Sequence, residues 1–148
     1  MFCGGNACHG GCRNGCYRKD KVISTGPETM ETSPKTVLET YIREVTTLVH
    51  LTVNGEEIVT TVDHPFYVKN QGFIKAGELI VGDELLDVNG NVLLVEKFNV
   101  ELTDEPTTVY NFQVEDFHTY HVGEIGVWVH NASCKVNKKV GENYDQRF

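Results

Sequence analysis

From Val22 onward, short stretches rich in valine, isoleucine, leucine, threonine and aromatic residues alternate with polar turns. Glycine, asparagine, aspartate and proline interrupt these stretches at short intervals, a pattern typical of many short β strands. Asn54-Gly55 and Asn89-Gly90 lie between apolar runs and predict tight hairpins. Strands are predicted at Val37–Tyr41, Thr47–Val53, Glu57–Val62, Phe66–Lys69, Glu84–Asp87, Val92–Val100, Thr107–Val114, His118–Val122 and Val127–His130.

The same pattern predicts almost no helix. Lys75–Val81 is compatible with one short helical turn, and Val100–Pro106 is interpreted as a polar connector between strands. We therefore expect an all-β domain over residues 22–131. It follows an unusual Cys- and Gly-rich head at residues 1–21 and precedes a polar flanking linker at residues 132–148.

Composition excludes several classes of protein. With 148 residues and 40% hydrophobic content, the chain can bury a core, so a wholly disordered chain is excluded. No apolar run is long enough for a bilayer, and the first residues lack a signal-peptide pattern, so we expect no membrane insertion. The 13 basic and 21 acidic residues give a net charge of −8, which argues against nucleic-acid binding.

The cysteines are concentrated at one end of the chain. Of the 5 cysteines, all but Cys134 lie in the head, and a disulfide-stapled fold is not normally built in that way. The head could hold a zinc ion or a small disulfide cluster. Its spacing lacks the paired C-x2-C knuckles of strong zinc sites, so zinc is the weak alternative, with His9 as a spare ligand. Its ligands would be Cys3, Cys8, Cys12 and Cys16.

Two of the chemically suggestive motifs decide little by themselves. In the stretch from Thr61 to Phe66 (TVDHPF), Thr61 and His64 can turn toward one buried site. Residue types alone favour a strand end with an ordinary hydrogen-bonded histidine. The second motif pairs Val109-Tyr110-Asn111 with His118-Thr119-Tyr120, and two strands with a surface histidine would explain it equally well.

The third motif, Val127 to Ala132 (VWVHNA), indicates a more specific chemistry. The side-chain amide of Asn131 can attack its own main-chain carbonyl, form a succinimide ring and break the bond to Ala132. Because an amide is a poor nucleophile and the leaving amine needs a proton, a neighbouring imidazole would help. His130 is placed for this role, although a simple turn at a strand end remains the alternative.

In this order and spacing, the three motifs resemble the Hint (Hedgehog/intein) family, and in particular the bacterial intein-like domains of polymorphic toxins. The stretch GFIKAGELIVGDELL at residues 72–86 matches a further family element. The resemblance implies a compact β horseshoe. It also implies that Thr61 and His64 strain and protonate an N-terminal scissile bond, and that His118 assists the C-terminal half. His130 and Asn131 would be the penultimate histidine and the cyclising asparagine.

The residue after the cut departs from the splicing pattern. Splicing inteins need Cys, Ser or Thr there, whereas this chain has Ala132, so the resemblance implies cleavage of the Asn131–Ala132 bond rather than splicing. The partners would be the chain's own flanking segments, with no cofactor. Parent proteins of the family are often secreted or cell-surface bacterial proteins, but the sequence does not assign this chain to a compartment.

The head lacks the nucleophilic cysteine and strand pattern with which the family begins. When codons compatible with residues 1–21 are read one base over, they permit the missing family opening, CFVAGTLVT and onward. We therefore interpret the head as out-of-frame translation, with the N-terminal strands of the horseshoe missing.

The sequence thus predicts a degenerate self-processing domain that retains cleavage after Asn131 and has lost its N-terminal nucleophile. It would act once, on itself, rather than as a multi-turnover enzyme. Two alternatives stay open: a catalytically inert linker module of a polymorphic toxin, and a small zinc-binding interaction protein built on the head.

Overall fold

The computed structural model describes residues 21–131, and these form an all-β fold, as predicted. A 3-10 turn at Ala76–Glu78 is the only helical element in this range, and it lies inside the predicted turn at Lys75–Val81. The strands are β1 (Lys21–Thr25), β2 (Thr32–Val53), β3 (Glu56–Thr60), β4 (Pro65–Val68), β5 (Gly72–Lys75), β6 (Glu84–Leu86), β7 (Val92–Val114), β8 (Thr119–Val122) and β9 (Val127–His130).

The strands form one antiparallel sheet that nearly closes on itself. Their order is β1-β2-β7-β6-β4-β9-β8, with β3 added to β2 and β5 added to β4. The two ends of this order meet where the hydroxyls of Ser24 on β1 and Thr119 on β8 hydrogen-bond at 2.9 Å. The closure brings β1 against the β8–β9 hairpin.

The core follows from the two-residue period of the strands. In β2, Val49, Leu51 and Val53 are fully buried, whereas His50 and Thr52 between them face outward and are half-buried. Together with buried side chains of β4, β7 and β9, these residues form one apolar core. This core fixes the ends of β8 and β9, where the candidate chemistry lies.

Two predictions about strand extent are wrong. The predicted strands Val37–Tyr41 and Thr47–Val53 are parts of the single long strand β2, and the predicted connector Val100–Pro106 lies within β7. Thr47 pairs with Leu102 and Val45 with Thr107, so the polar residues 103–106 form an irregularity in a continuous ribbon. Pairing with a long partner holds a polar segment in extended form against its own weak β propensity.

Two short strands, β1 and β5, were not among the predicted strands. The β4–β5 hairpin turns through Asn70 at φ 67° and Gly72 at φ 90°, both left-handed. These two residue types are a sequence signal for a hairpin, and therefore for a second strand after the turn. Some predicted strand residues lie just outside strands, among them Thr61, which follows the end of β3, and His118, which precedes the start of β8. Both are candidate site residues.

The head and the tail lie outside the described residues, apart from Lys21. The out-of-frame interpretation, the missing N-terminal strands and the zinc alternative therefore stay predictions. Within residues 21–131, no helix has the length and apolar character needed to cross a membrane. Over the same range, no cluster of three or more His, Cys, Asp or Glu side chains is arranged to hold a metal ion.

Candidate self-processing site

The β8–β9 hairpin places the predicted cyclising residue at the end of the last strand. Thr119 pairs with His130, and beyond this pair the main-chain N–H of Asn131 donates to the carbonyl of His118 at 2.8 Å. The Asn131 side chain is 8% exposed, so it faces the fold rather than solvent. A buried amide needs hydrogen-bond partners, and its surroundings supply them.

The imidazole of His130 contacts the carbonyl that cyclisation would attack. Its Nδ1 lies 2.8 Å from the main-chain oxygen of Asn131. Because a carbonyl oxygen only accepts, Nδ1 must carry the hydrogen and donate it. The ring of Phe73 meets the imidazole edge to face, with centroids 5.0 Å apart and planes at 73°, and so limits its rotation.

The side-chain amide of Asn131 faces two main-chain carbonyls, those of Phe112 and His118. With its nitrogen toward them, it donates at 3.0 Å and 3.2 Å respectively. The opposite orientation would set the amide oxygen against two carbonyl oxygens, which repel it. Both hydrogens of the amide nitrogen are thus directed at acceptors.

The predicted assisting residue, His118, lies next to this amide in an unusual backbone conformation. Its φ is 61°, in the left-handed region, and its side chain is exposed. Its contact with Asn131 is through the main chain. His118 and His130 both line a cleft of about 350 Å³, whose remaining walls are residues 26–29 and 116–117.

The predicted N-terminal residues Thr61 and His64 lie at the end of β3 and the start of β4. The Thr61 hydroxyl donates to the Asp63 carboxylate at 2.9 Å, and the guanidinium of Arg43 is 3.7 Å from the same oxygen. Burial raises the pKa of the Asp63 carboxyl. Nearby positive charge, including Arg43, and the Thr61 hydrogen bond outweigh it, so the pKa is lowered.

His64 is fully buried and connects the two halves of the site. Burial first, and then the positive charges of His130 and Arg43, hold its pKa well below the usual 6.5, so the imidazole is neutral. Its ring hydrogen-bonds the main chain of His130. The rings of Phe66 and Tyr120 meet it edge to face, each with centroids 6.1 Å away.

The second sequence motif also comes together in the fold. The Tyr120 hydroxyl donates to the Asn111 side-chain oxygen at 2.7 Å, and both residues are fully buried. Tyr120 contacts the rings of His64 and Phe112, so this pair lies beneath both halves of the site. The structure therefore joins all three motifs of the sequence in one region.

Three residues at this site were not identified from the sequence. Phe112 contributes through its carbonyl, which every residue has, so no side-chain pattern could indicate it. Phe73 packs on His130 from a strand that is distant in sequence. Asp63 lies inside the TVDHPF motif, and its position between Thr61 and His64 was a signal that could have been used.

The Pretoxin HINT domain family model matches residues 14–132, which is most of the chain and includes every residue of the site. The chain belongs to the pretoxin Hint family. This confirms the resemblance stated from the motifs.

Solved structures agree with the family. The Hint domain is 62% identical to a bacterial intein-like domain from Clostridium thermocellum, with a TM-score of 0.77. The match covers 79% of this chain and 85% of that one. An intein from a hyperthermophile shares the fold at 24% identity and a TM-score of 0.63, covering 74% of this chain and 70% of that one.

A curated relative matches a smaller region. An uncharacterised protein of Methanocaldococcus jannaschii is 38% identical over 77 residues, and the match covers 49% of this chain. The matched region spans only 11% of that relative's length.

Proposed function

We propose that this Hint domain retains one of the two half-reactions of self-processing, cleavage of its own Asn131–Ala132 bond by cyclisation of Asn131. The N-terminal half-reaction is lost, because the head has no nucleophilic cysteine in the family's sequence context. The observation that carries the proposal is the 2.8 Å contact between His130 Nδ1 and the Asn131 main-chain oxygen.

The reaction begins at the side-chain nitrogen of Asn131. This nitrogen attacks the main-chain carbonyl carbon of the same residue, and negative charge develops on the carbonyl oxygen. The Nδ1–H of His130 already donates to that oxygen, so it stabilises the charge without reorganisation. Removal of a single donor to such an oxyanion costs on the order of 10²–10³-fold in rate.

The second step breaks the bond to Ala132. The tetrahedral centre collapses, the carbon–nitrogen bond to Ala132 opens, and a succinimide remains at the new C-terminus. One proton leaves the Asn131 amide nitrogen and one arrives on the Ala132 nitrogen, so the proton count balances and no water is consumed. His118 lines the same cleft as His130, and its exposed imidazole is our candidate for carrying the proton to the leaving amine.

Ala132 directs the outcome toward cleavage. Its methyl side chain has no hydroxyl or thiol, so it cannot act as the second nucleophile that would join the flanking segments. The products would be residues 1–131 ending in a succinimide and a released segment of residues 132–148. The substrate is therefore the chain itself, and the reaction occurs once.

Intact mass spectrometry of the full chain at neutral pH tests this proposal. Residues 1–131 should appear over time, lighter by one water than the corresponding hydrolysis product, together with the segment 132–148. Asn131→Ala is the control and should keep its mass. If the unaltered chain also keeps its full mass, the proposal fails and the inert linker module replaces it.

A further inference from the structure

The orientation of the Asn131 amide is determined by the main chain of two other segments. Its nitrogen donates to the carbonyl of Phe112 at the end of β7 and to the carbonyl of His118 before β8. The same His118 carbonyl also accepts the main-chain N–H of Asn131 at 2.8 Å. One carbonyl thus fixes both the backbone and the side chain of Asn131.

The left-handed conformation of His118 gives this carbonyl its direction. Non-glycine residues rarely adopt a positive φ, and histidine, asparagine and aspartate do so more often than others. With a φ of 61°, His118 turns the chain out of the extended form immediately before the Thr119–His130 pair. A β-branched residue at this position would strongly disfavour the turn.

Packing around Phe117 holds the turn in place. The Phe117 ring lies so close to Gly26 that a Cβ on Gly26 would be 2.9 Å from its Cε1 atom. On the same ring, the Lys35 ammonium is 4.7 Å from the centroid, and it also pairs with Asp116 at 2.8 Å. These contacts of the ring therefore constrain the segment that ends at His118.

We infer that the carbonyls of Phe112 and His118 form a cradle that orients the Asn131 amide nitrogen for attack. This inference rests on the proposed cyclisation. It gives His118 a role through its main chain, in addition to the one considered for its imidazole. Two acceptors polarise the N–H bonds of a weak nucleophile and stop the amide from rotating its oxygen toward the carbonyl carbon. The bonds formed and broken are those of the cyclisation itself.

Substitutions at His118 separate the main-chain role from the imidazole role. His118→Asn and His118→Val both remove the imidazole, but asparagine tolerates the left-handed region and valine does not. We expect cleavage to be at least about tenfold faster in His118→Asn than in His118→Val. A β-branched residue disfavours the left-handed conformation, so valine should lower the population of the native turn by that factor or more. Thermal unfolding of both variants checks that they are folded at the assay temperature. Equal cleavage rates in the two folded variants would overturn the cradle.

A second measurement does not depend on cleavage. In NMR spectra of freshly prepared full chain, the two Asn131 side-chain amide protons should exchange with solvent far more slowly than those of the exposed Asn89. Slow exchange without any cleavage would support the hydrogen bonds of the cradle and reject the proposed function. Exchange as fast as that of Asn89 would reject the cradle, whether or not the chain cleaves.

Discussion

In the C-terminal half of the site, polar groups converge on the main chain of Asn131, whereas in the N-terminal half they bond to one another. His130 donates to the Asn131 carbonyl, and the carbonyl of His118 accepts the Asn131 N–H. By contrast, the Thr61 hydroxyl donates to Asp63, a neighbour two residues away. The two halves are therefore separable, because the contacts needed for cyclisation come from β7, from β9 and from His118, which directly precedes β8.

One connection qualifies this separation. His64, assigned to the N-terminal half by its motif, hydrogen-bonds the main chain of His130. His64 therefore lies in the sequence motif of the N-terminal half but also contacts the C-terminal half. Substitutions in each half, and in His64 between them, test how far the halves are independent.

The largest expected effect is on cleavage and comes from the C-terminal half. His130→Ala removes the donor to the attacked carbonyl, so we expect cleavage to slow by about 10²-fold or more. The rate is measured by intact mass against time. His50→Ala is the matched control, since it removes another half-buried imidazole, on β2, and should leave the rate unchanged. Equal rates in His130→Ala and the unaltered chain would show that His130 takes no part.

The next effect is on both stability and cleavage and comes from the connecting residue. His64→Ala leaves a cavity in a fully buried place and removes the bond to His130. We expect the free energy of unfolding to fall by about 2–4 kcal/mol and cleavage to slow by about tenfold. Urea denaturation and the mass assay measure the two quantities.

A second buried histidine provides the control for His64→Ala. His121 is also buried and bonded, to the carbonyl of Gly126 at 2.7 Å and to the hydroxyl of Thr25 at 2.9 Å. His121→Ala should lower stability by a similar amount. Cleavage should slow less, because His121 bonds Gly126 and Thr25 rather than His130. If both variants slow cleavage equally, the effect of His64 is general destabilisation.

A smaller effect is the dependence of stability on pH. Burial lowers the pKa of both His64 and His121 below the usual 6.5. The unfolded chain therefore binds more protons than the folded chain, and stability falls as pH drops below 6.5. Burial lowers the pKa of His50, but the hydrogen bonds that its ring donates to the carboxylates of Glu57 and Glu101 outweigh burial, so its pKa is raised. This single group opposes the trend set by His64 and His121.

Urea denaturation at pH 7.5 and pH 5.5 measures this dependence. We expect a loss of roughly 1 kcal/mol per pH unit below 6.5, before the carboxylates titrate. His64→Ala should reduce the slope, since one of the two depressed groups is gone. Identical stability of the unaltered chain at both pH values would contradict the neutral, buried state of these histidines.

The fold was predictable where the pattern is local. Alternation of buried and outward residues around Val49, Leu51 and Val53 indicates a strand by itself, and Asn54-Gly55 indicates the hairpin that follows, with φ values of 47° and 88°. The long ribbon was not predictable. Residues 103–106 are polar and contain a proline, and they belong to β7 only because Leu102 and Thr107 on either side of them pair with β2.

The candidate site also contains residues that the sequence predicts and groups that only the fold places. Side-chain chemistry indicated Asn131 and His130, because an amide next to an imidazole at a strand end suggests cyclisation. His64 was assigned only through the family resemblance, since an ordinary buried histidine would explain its motif equally well. The carbonyls of Phe112 and His118 have no sequence signal, since every residue carries a carbonyl and only the fold gives it a direction. The left-handed turn at His118 likewise depends on the contacts of Phe117 with Gly26 and Lys35.

The smallest expected effect on cleavage comes from the N-terminal half, and it tests the comparison most directly. Thr61→Val keeps the shape of the side chain and removes the hydroxyl that donates to Asp63. We expect the free energy of unfolding to fall by about 1.5–3 kcal/mol, as for a lost hydrogen bond to a charged group, with cleavage after Asn131 unchanged. Asp63→Asn is the companion variant, since it keeps the acceptor oxygen and removes the charge that Arg43 faces. If Thr61→Val slows cleavage as much as His64→Ala does, the two halves act as one unit, and the C-terminal contacts are not sufficient by themselves.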